Sequence, residues 1–432
     1  MLKAACLAGD VGAVRRVLEN HLALDLSEGV DDSDGCSPLM TACLDGNLSI
    51  VQVLLSHGAD PNETNAKQCN GAPLYAACLG GHASVVRALL AKGAYVDRIT
   101  DRGASALYVA CQKGLLETAT VLVDFGANAN LVDPFGMSPL YVASILGHED
   151  VVRLLLERTS ANVELADWKD GYTALAAASR DGHASVVRVL VLHGADVNCA
   201  SFKKISPLFL ASQNNHLEVA RLLIESGADL NSADESGCSP LYAASAYGQL
   251  SVVTLLLAKG ARLDATTRSG STPLFVACQQ GHLRVATALL DDGADVDRPN
   301  RSGASPLFIA ANFGHLAVAR LLLSRGADIN QTSFAHCMTP LLASCYKGHD
   351  KMVRLLMDHG ADLCRVDFRG KTPLDAAKEK GHHAVVRVLT KTTIPDILLD
   401  KVGDILLVQE PRTARLCPRC CSTNRTKDRR PP

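Results

Sequence analysis

Apolar residues fall along this chain in short helical bursts, and the bursts come in pairs. One burst runs through Ser305-Pro306-Leu307-Phe308-Ile309-Ala310-Ala311 and closes at Gly314. A second carries Val318, Leu321 and Leu322, the three-and-four spacing that turns one face of a helix toward a core. Gly326 stops it, and Ala327-Asp328-Ile329-Asn330 leads into a polar loop. The starts are chemically marked. Ser or Thr before Pro opens a helix, because the hydroxyl accepts from free backbone N–H groups and Pro has no N–H to leave unpaired. Gly closes a helix because it takes the left-handed backbone cheaply. The pattern predicts a helix–turn–helix unit followed by a projecting loop.

The unit recurs. Its opening proline, or an Ala in that slot, stands at Pro38, Pro73, Ala106, Pro139, Ala174, Pro207, Pro240, Pro273, Pro306, Pro340 and Pro373, at intervals of 33 to 35 residues. Eight positions on, ten of these eleven units have Gly; Asn215 is the exception. Residues 2–18 fit the same frame with Met1 in the proline slot, so twelve units cover residues 1–390. A unit of this size cannot bury its apolar face alone, and stacking on neighbours does so. Three regions are therefore expected. Residues 1–390 form a solenoid. Residues 391–410 form an apolar extension docked on the last repeat, and 411–432 a basic, disordered tail. The last unit carries Asp375 and Lys378 in inner-face positions, as a polar cap should.

At these residues the chain resembles the ankyrin-repeat family, whose unit reads Gly-x-Thr-Pro-Leu-His-x-Ala-Ala-x-x-Gly-His, then Val-x-x-Leu-Leu-x-x-Gly-Ala-Asp. The resemblance covers about nine-tenths of the chain. It implies an all-α fold, an ankyrin-repeat α-solenoid with projecting β-hairpin fingers and a concave face that binds partner proteins. One departure is systematic. The family's His, two residues after the proline, is replaced by Tyr75, Tyr108, Tyr141, Phe209, Tyr242, Phe275 and Phe308. In the family that His ties neighbouring loops by hydrogen bonds, so the resemblance implies that those bonds are missing here. The rings, Tyr141, Phe209, Tyr242, Phe275 and Phe308 among them, are expected to be structural filling between repeats.

Composition narrows the function. Hydrophobic residues make up 47% but aromatic ones only 4%, so the core is built from Leu, Val and Ala. The net charge of −2 conceals +6 in residues 411–432, which leaves −8 elsewhere. That gives no strong pull toward nucleic acid or acidic membrane, and no apolar run approaches the ~18–20 residues of a membrane helix. The expected partners are other proteins, with no nucleic acid, no membrane insertion and a monomeric chain. The opening residues lack the apolar core of a secretory signal. Fifteen cysteines in 432 residues are too sparse for a disulfide scaffold, so reduced thiols and a cytoplasmic location are expected, with nuclear import as an option for the basic tail.

The remaining motifs point away from catalysis. Cys6, Cys43, Cys78, Cys111, Cys278 and Cys345 share one slot with Ser144, Ser179, Ser212 and Ser245, where a small side chain suits packing. His82, His148, His183, His216, His282, His315, His349 and His382 open second helices, and their period argues structure. No Ser–His–acid set is singled out, and no phosphate-cradling Gly loop occurs. The chain is thus not read as an enzyme, with no catalytic residue, cofactor or metal. Cys417-Pro418-Arg419-Cys420-Cys421 is half of a zinc knuckle, which needs two further ligands. An alternative function follows from it: a substrate-recruiting subunit of an enzyme complex, or of a longer chain with a zinc-binding domain after Cys421. The resemblance also permits hydroxylation at Asp-x-Asn, as in Asp196-Val197-Asn198. The residues themselves suggest a turn-stabilising Asn.

Partner contacts are sought five, four and two residues before the proline slot and six and seven after it, where the repeat leaves residue type open. Bulky apolar residues there are Phe135, Met137, Ile145 and Leu146 in one unit, Tyr172 in the next, with Trp168 beside its finger tip, and Phe202 beyond. Tyr247, Phe313 and Tyr346 follow, with Arg268 and Arg301 on nearby fingers. Exposed aromatics beside Arg are the chemistry of interface hot spots. Phe135, Ile145, Leu146 and Trp168 are expected to form one exposed patch; the competing reading is that finger aromatics brace adjacent fingers.

Overall fold

The computed structural model describes residues 2–20, 36–64, 72–334 and 336–393. These form 24 helices in successive pairs, from Leu2–Leu7 to His383–Thr393. The expected segments 391–410 and 411–432, with Cys417, Cys420 and Cys421, lie outside the described residues from 394 on. The chain divides into two compact units. The first is Met1–Ala211 with Glu218–Ala228, and the second is Ser212–Leu217 with Asp229–Pro432.

The helix starts follow from the Ser/Thr-Pro chemistry. Ser138 Oγ accepts from Tyr141 N at 3.1 Å, and Ser305 Oγ from Phe308 N at 3.1 Å. Thr372 and Asp375 cap reciprocally, each side chain meeting the other's backbone. The core is aliphatic: Leu107, Leu140, Leu175 and Leu190 are fully buried in the first unit. No strand forms among the described residues. The expected β-hairpin fingers are tight loops, closed by backbone bonds such as Asp133 N to Met137 O at 3.1 Å and Gly136 N to Asp133 O at 3.0 Å. Two carry an isolated antiparallel bridge, Ile99–Ser105 and Ala166–Thr173.

The cysteine slot is core. Cys43, Cys78, Cys111 and Cys278 are buried free thiols, and burial raises their pKa far above the ordinary thiol value. Ten of the described cysteines are free thiols. The four serines of the same slot are also buried, and their hydroxyls find no hydrogen-bond partner.

The recurrent histidines are inter-repeat struts. His183 Nε2 meets Ile145 O at 3.0 Å, His148 Nε2 meets Gln112 O at 3.1 Å and His315 Nε2 meets Gln279 O at 2.9 Å. Each carbonyl belongs to the end of the preceding unit's first helix, where backbone acceptors lack intrahelical partners. The ring lies over that unit's Gly. A Cβ on Gly147 would fall 2.6 Å from the His183 ring.

The Tyr/Phe slot departs from expectation twice. The loop-tying bonds are present in a new form: Tyr108 OH donates to Asp133 Oδ2 at 3.1 Å and Tyr141 OH to Asp167 Oδ2 at 3.4 Å, each on the next finger. Nor are all the rings core. Tyr108, Tyr141, Phe209 and Phe275 are buried, but Tyr75, Tyr242 and Phe308 are half-buried. The division follows the next finger's base residue. Tyr108, Tyr141 and Phe275 precede Asp133, Asp167 and Asn300, whereas Tyr75, Tyr242 and Phe308 precede the shorter Thr100, Thr267 and Ser333.

Candidate partner-binding surface

The fingertips of each unit are zipped to one another by a repeated contact. In the first unit the Asp133 carboxylate accepts from Phe135 N and Met137 N, both at 2.9 Å, and so folds the tip. Gly136 follows with a φ of 81°, in the left-handed region. Trp168 N on the next finger donates to Phe135 O at 2.8 Å, and its indole covers Gly136 so closely that a Cβ there would lie 2.5 Å away. The contact repeats one finger on. Phe202 N donates to Asp170 O at 3.0 Å, and the Phe202 ring covers Gly171.

Phe135, Trp168 and Phe202 thus occupy three successive fingertips. Their accessible fractions are 63%, 64% and 65%. Bracing and exposure coexist here: Trp168 and Phe202 rest on the preceding Gly, yet most of each ring faces solvent. Of the other candidates in this unit, Met137 and Tyr172 are half-buried near the finger bases. Leu146 is exposed and Ile145 half-buried at the end of the helix Pro139–Ile145. About 9 Å of helix separates that end from the finger. The backbone bond from Trp168 N to Phe135 O joins those two tips, while Ile145 and Leu146 stand at the far end of the helix that follows the finger.

In the second unit Arg268 N donates to Ser236 O at 2.7 Å and Arg301 N to Ser269 O at 2.9 Å, the same fingertip bond. Both side chains are exposed. The next tips carry Phe334 and Phe368, also exposed and not among the expected contacts. Phe368 stands five residues before Pro373, the offset of Phe202 from Pro207, so the rule could have found it. Phe334 is displaced by one extra residue before Pro340. Tyr247 and Phe313 are exposed at the ends of their helices, with Phe313 stacked on His315 at 6.2 Å. Tyr346 is instead a strut: half-buried, it donates to Asp367 Oδ2 at 2.6 Å, and burial pushes its hydroxyl up to about 12.

The Asp-x-Asn asparagines are also struts. Asn231 Oδ1 accepts from Arg262 N at 2.9 Å and Asn330 Oδ1 from Asp362 N at 2.9 Å, each in the next repeat. Among the described residues no group of three His, Cys, Asp or Glu side chains is placed to hold a metal ion. No described helix is long and apolar enough to cross a membrane.

No curated protein matches the chain. Among solved structures it is similar to the human ASB11 ankyrin repeat domain, at 27% identity and a TM-score of 0.48, covering 52% of this chain and 99% of that one. A family model of ankyrin repeats matches residues 1–65, 63–133, 107–201, 199–267, 263–333 and 334–398. With matched segments running through the helix pairs, turns and fingers described above, the chain belongs to the ankyrin-repeat family.

Proposed function

We propose that this chain is a protein-recognition scaffold that holds a partner on the fingertip row of its first unit. Ankyrin repeats are protein-interaction modules, and one observation carries the finer reading: Phe135, Trp168 and Phe202 are large, aromatic, exposed and fixed in place on neighbouring tips. Aromatic side chains dominate the energetics of interfaces. Anchors already held by their own backbone lose little freedom on binding, which favours affinity.

The test is quantitative capture with the full chain. Partners recovered by the wild type should fall at least tenfold with Phe135→Ser/Trp168→Ser/Phe202→Ser. They should persist with Leu192→Ser, which removes an exposed apolar side chain from a second helix. Circular dichroism checks that both variants stay folded. Undiminished capture by the folded triple variant rejects the fingertip row.

A further inference from the structure

We infer that the second unit reads an extended partner segment in a fixed charge register: a cation, then two carboxylates, then two apolar side chains. This rests on the protein-recognition reading but uses a different surface. Five successive fingertips there carry Glu235, Arg268, Arg301, Phe334 and Phe368 at one equivalent position, the residue after the finger base. All five are exposed. Backbone bonds lock four of them to the preceding tip: Arg268 to Ser236, Arg301 to Ser269, Phe334 to Ser302 at 2.7 Å and Phe368 to His336 at 3.1 Å.

The two arginines are the core of the site. Arg153, Arg158, Arg188, Arg262, Arg325 and Arg365 all face carboxylates within 4 Å in ion pairs. Arg268 and Arg301 make none among the described residues. The Arg301 stem lies over Gly270, with Cγ 2.9 Å from where a Cβ would stand, so its position is set by packing while the guanidinium projects. Two adjacent, unneutralised guanidiniums favour carboxylates, which they grip with paired N–H donors. Glu235 on one flank repels an acid and favours a cation. On the other flank the rings of Phe334 and Phe368 offer apolar contact, with Arg369 stacked 5.1 Å from the Phe368 centroid.

Geometry sets the spacing. Stacked helices lie about 10 Å apart, and an extended chain advances about 3.3 Å per residue. One fingertip therefore corresponds to about three residues of partner. The segment expected is a flexible, acidic stretch of protein with recognised residues every third position.

The probe is a fluorescent peptide with Lys, Glu, Glu, Leu and Leu three residues apart on Gly-Ser spacers, and the same peptide reversed, since the register leaves direction open. Fluorescence anisotropy with the full chain should show binding of one of them, weakened by added salt. Arg268→Glu/Arg301→Glu should weaken it at least tenfold and create binding of the peptide in which both Glu are Lys. Equal binding to wild type and double variant overturns the register, as does no binding of either direction. A phosphoserine-for-glutamate peptide that binds more than tenfold tighter also overturns it, in favour of a phosphate reader. Phe135→Ser/Trp168→Ser/Phe202→Ser should bind the peptide as wild type does. A failed peptide with intact capture on the first unit's row sinks this inference alone; loss of both sinks the scaffold reading.

Discussion

Ser251 donates its hydroxyl to Asn215 Oδ1 at 3.0 Å, at the one repeat that lacks the turn glycine. Asn215 keeps the left-handed backbone of that position, with a φ of 63°. At seven other repeats, Gly46, Gly114, Gly147, Gly248, Gly281, Gly314 and Gly348, a histidine ring covers the Gly at distances that leave no room for a Cβ. Here the histidine position is held by Gln249, which reaches the same kind of acceptor, Gln213 O, at 3.1 Å. The two departures from the repeat therefore explain each other. Gln249→His alone should crowd the Asn215 side chain and cost about 1–3 kcal/mol, the usual range for overpacking. Asn215→Gly/Gln249→His should recover most of it. A double-mutant cycle by urea denaturation measures the coupling; additive single effects would mean that the pair does not interact.

Phe275 and Phe308 occupy the same slot but not the same environment. Phe275 is 3% exposed, whereas Phe308 is half-buried ahead of Ser333. Phe275→Ala should cost about 3–5 kcal/mol, as a buried aromatic does, and Phe308→Ala less than half of that. Chemical denaturation of both variants checks the ratio. Equal costs would show that the finger base has no influence on the ring.

The buried serines are a reserve of stability. Ser144 and Ser179 are fully buried, with hydroxyls that lack any partner. An unsatisfied buried hydroxyl is unfavourable by about 1–3 kcal/mol, and the slot accepts a small apolar side chain in other repeats, as at Cys111. Ser179→Ala is expected to raise stability by about 1 kcal/mol after the small loss of packing. A decrease in the denaturation midpoint would mean that the hydroxyl is hydrogen-bonded in solution.

How much of this was legible follows from where each signal lies. The helix starts at Ser138, Ser305 and Thr372 are local: cap, proline and first turn stand within four residues. The repeat itself is a comparison of the chain with itself. The fingertip bond from Trp168 N to Phe135 O is different, because it joins residues a whole repeat apart and depends on Gly136 having no side chain. Exposure at Trp168 could be read from the frame; its simultaneous bracing could not. The loss of the family His was visible at Tyr141. Its replacement was not, since the acceptor Asp167 sits on the next finger and looks like any turn aspartate. Strands failed to form because the bond that crosses each finger, as from Asp133 N to Met137 O, is not repeated along the chain into a ladder.

Acid should stabilise the first unit through Glu63. Burial pushes its carboxyl up to about 7 despite a hydrogen bond from the Ser37 hydroxyl, and Asp60 adds to the rise. Between the ordinary 4.5 and about 7 the folded chain holds more protons here than the unfolded chain. Stability from this group therefore falls as pH rises through that window and is greatest below it. Glu63→Gln should remove that slope and raise the melting temperature most at pH 7 and above. Thermal unfolding of both proteins from pH 4.5 to 8 is the measurement, and parallel curves would refute the burial of this carboxyl.

Trp168 is the chain's one tryptophan, which makes the fingertip zipper directly observable. Its ring covers Gly136, which is in the left-handed region, yet remains 64% exposed. In the wild type the indole should therefore emit as a solvent-facing group but rotate little, giving high fluorescence anisotropy. Gly136→Ala acts twice. Ala is strained at a φ of 81°, and its methyl would stand 2.5 Å from the indole Cδ1. The cost should be about 1–3 kcal/mol, and the ring, pushed off its seat, should gain mobility. Gly194 is the control. It too has a positive φ, at 85°, but open space where its Cβ would be. Gly194→Ala should show backbone strain alone, with unchanged tryptophan anisotropy. If both variants leave the anisotropy at the wild-type value, Trp168 is not seated on Gly136, and the rigid row of aromatic anchors proposed for partner binding loses its physical basis.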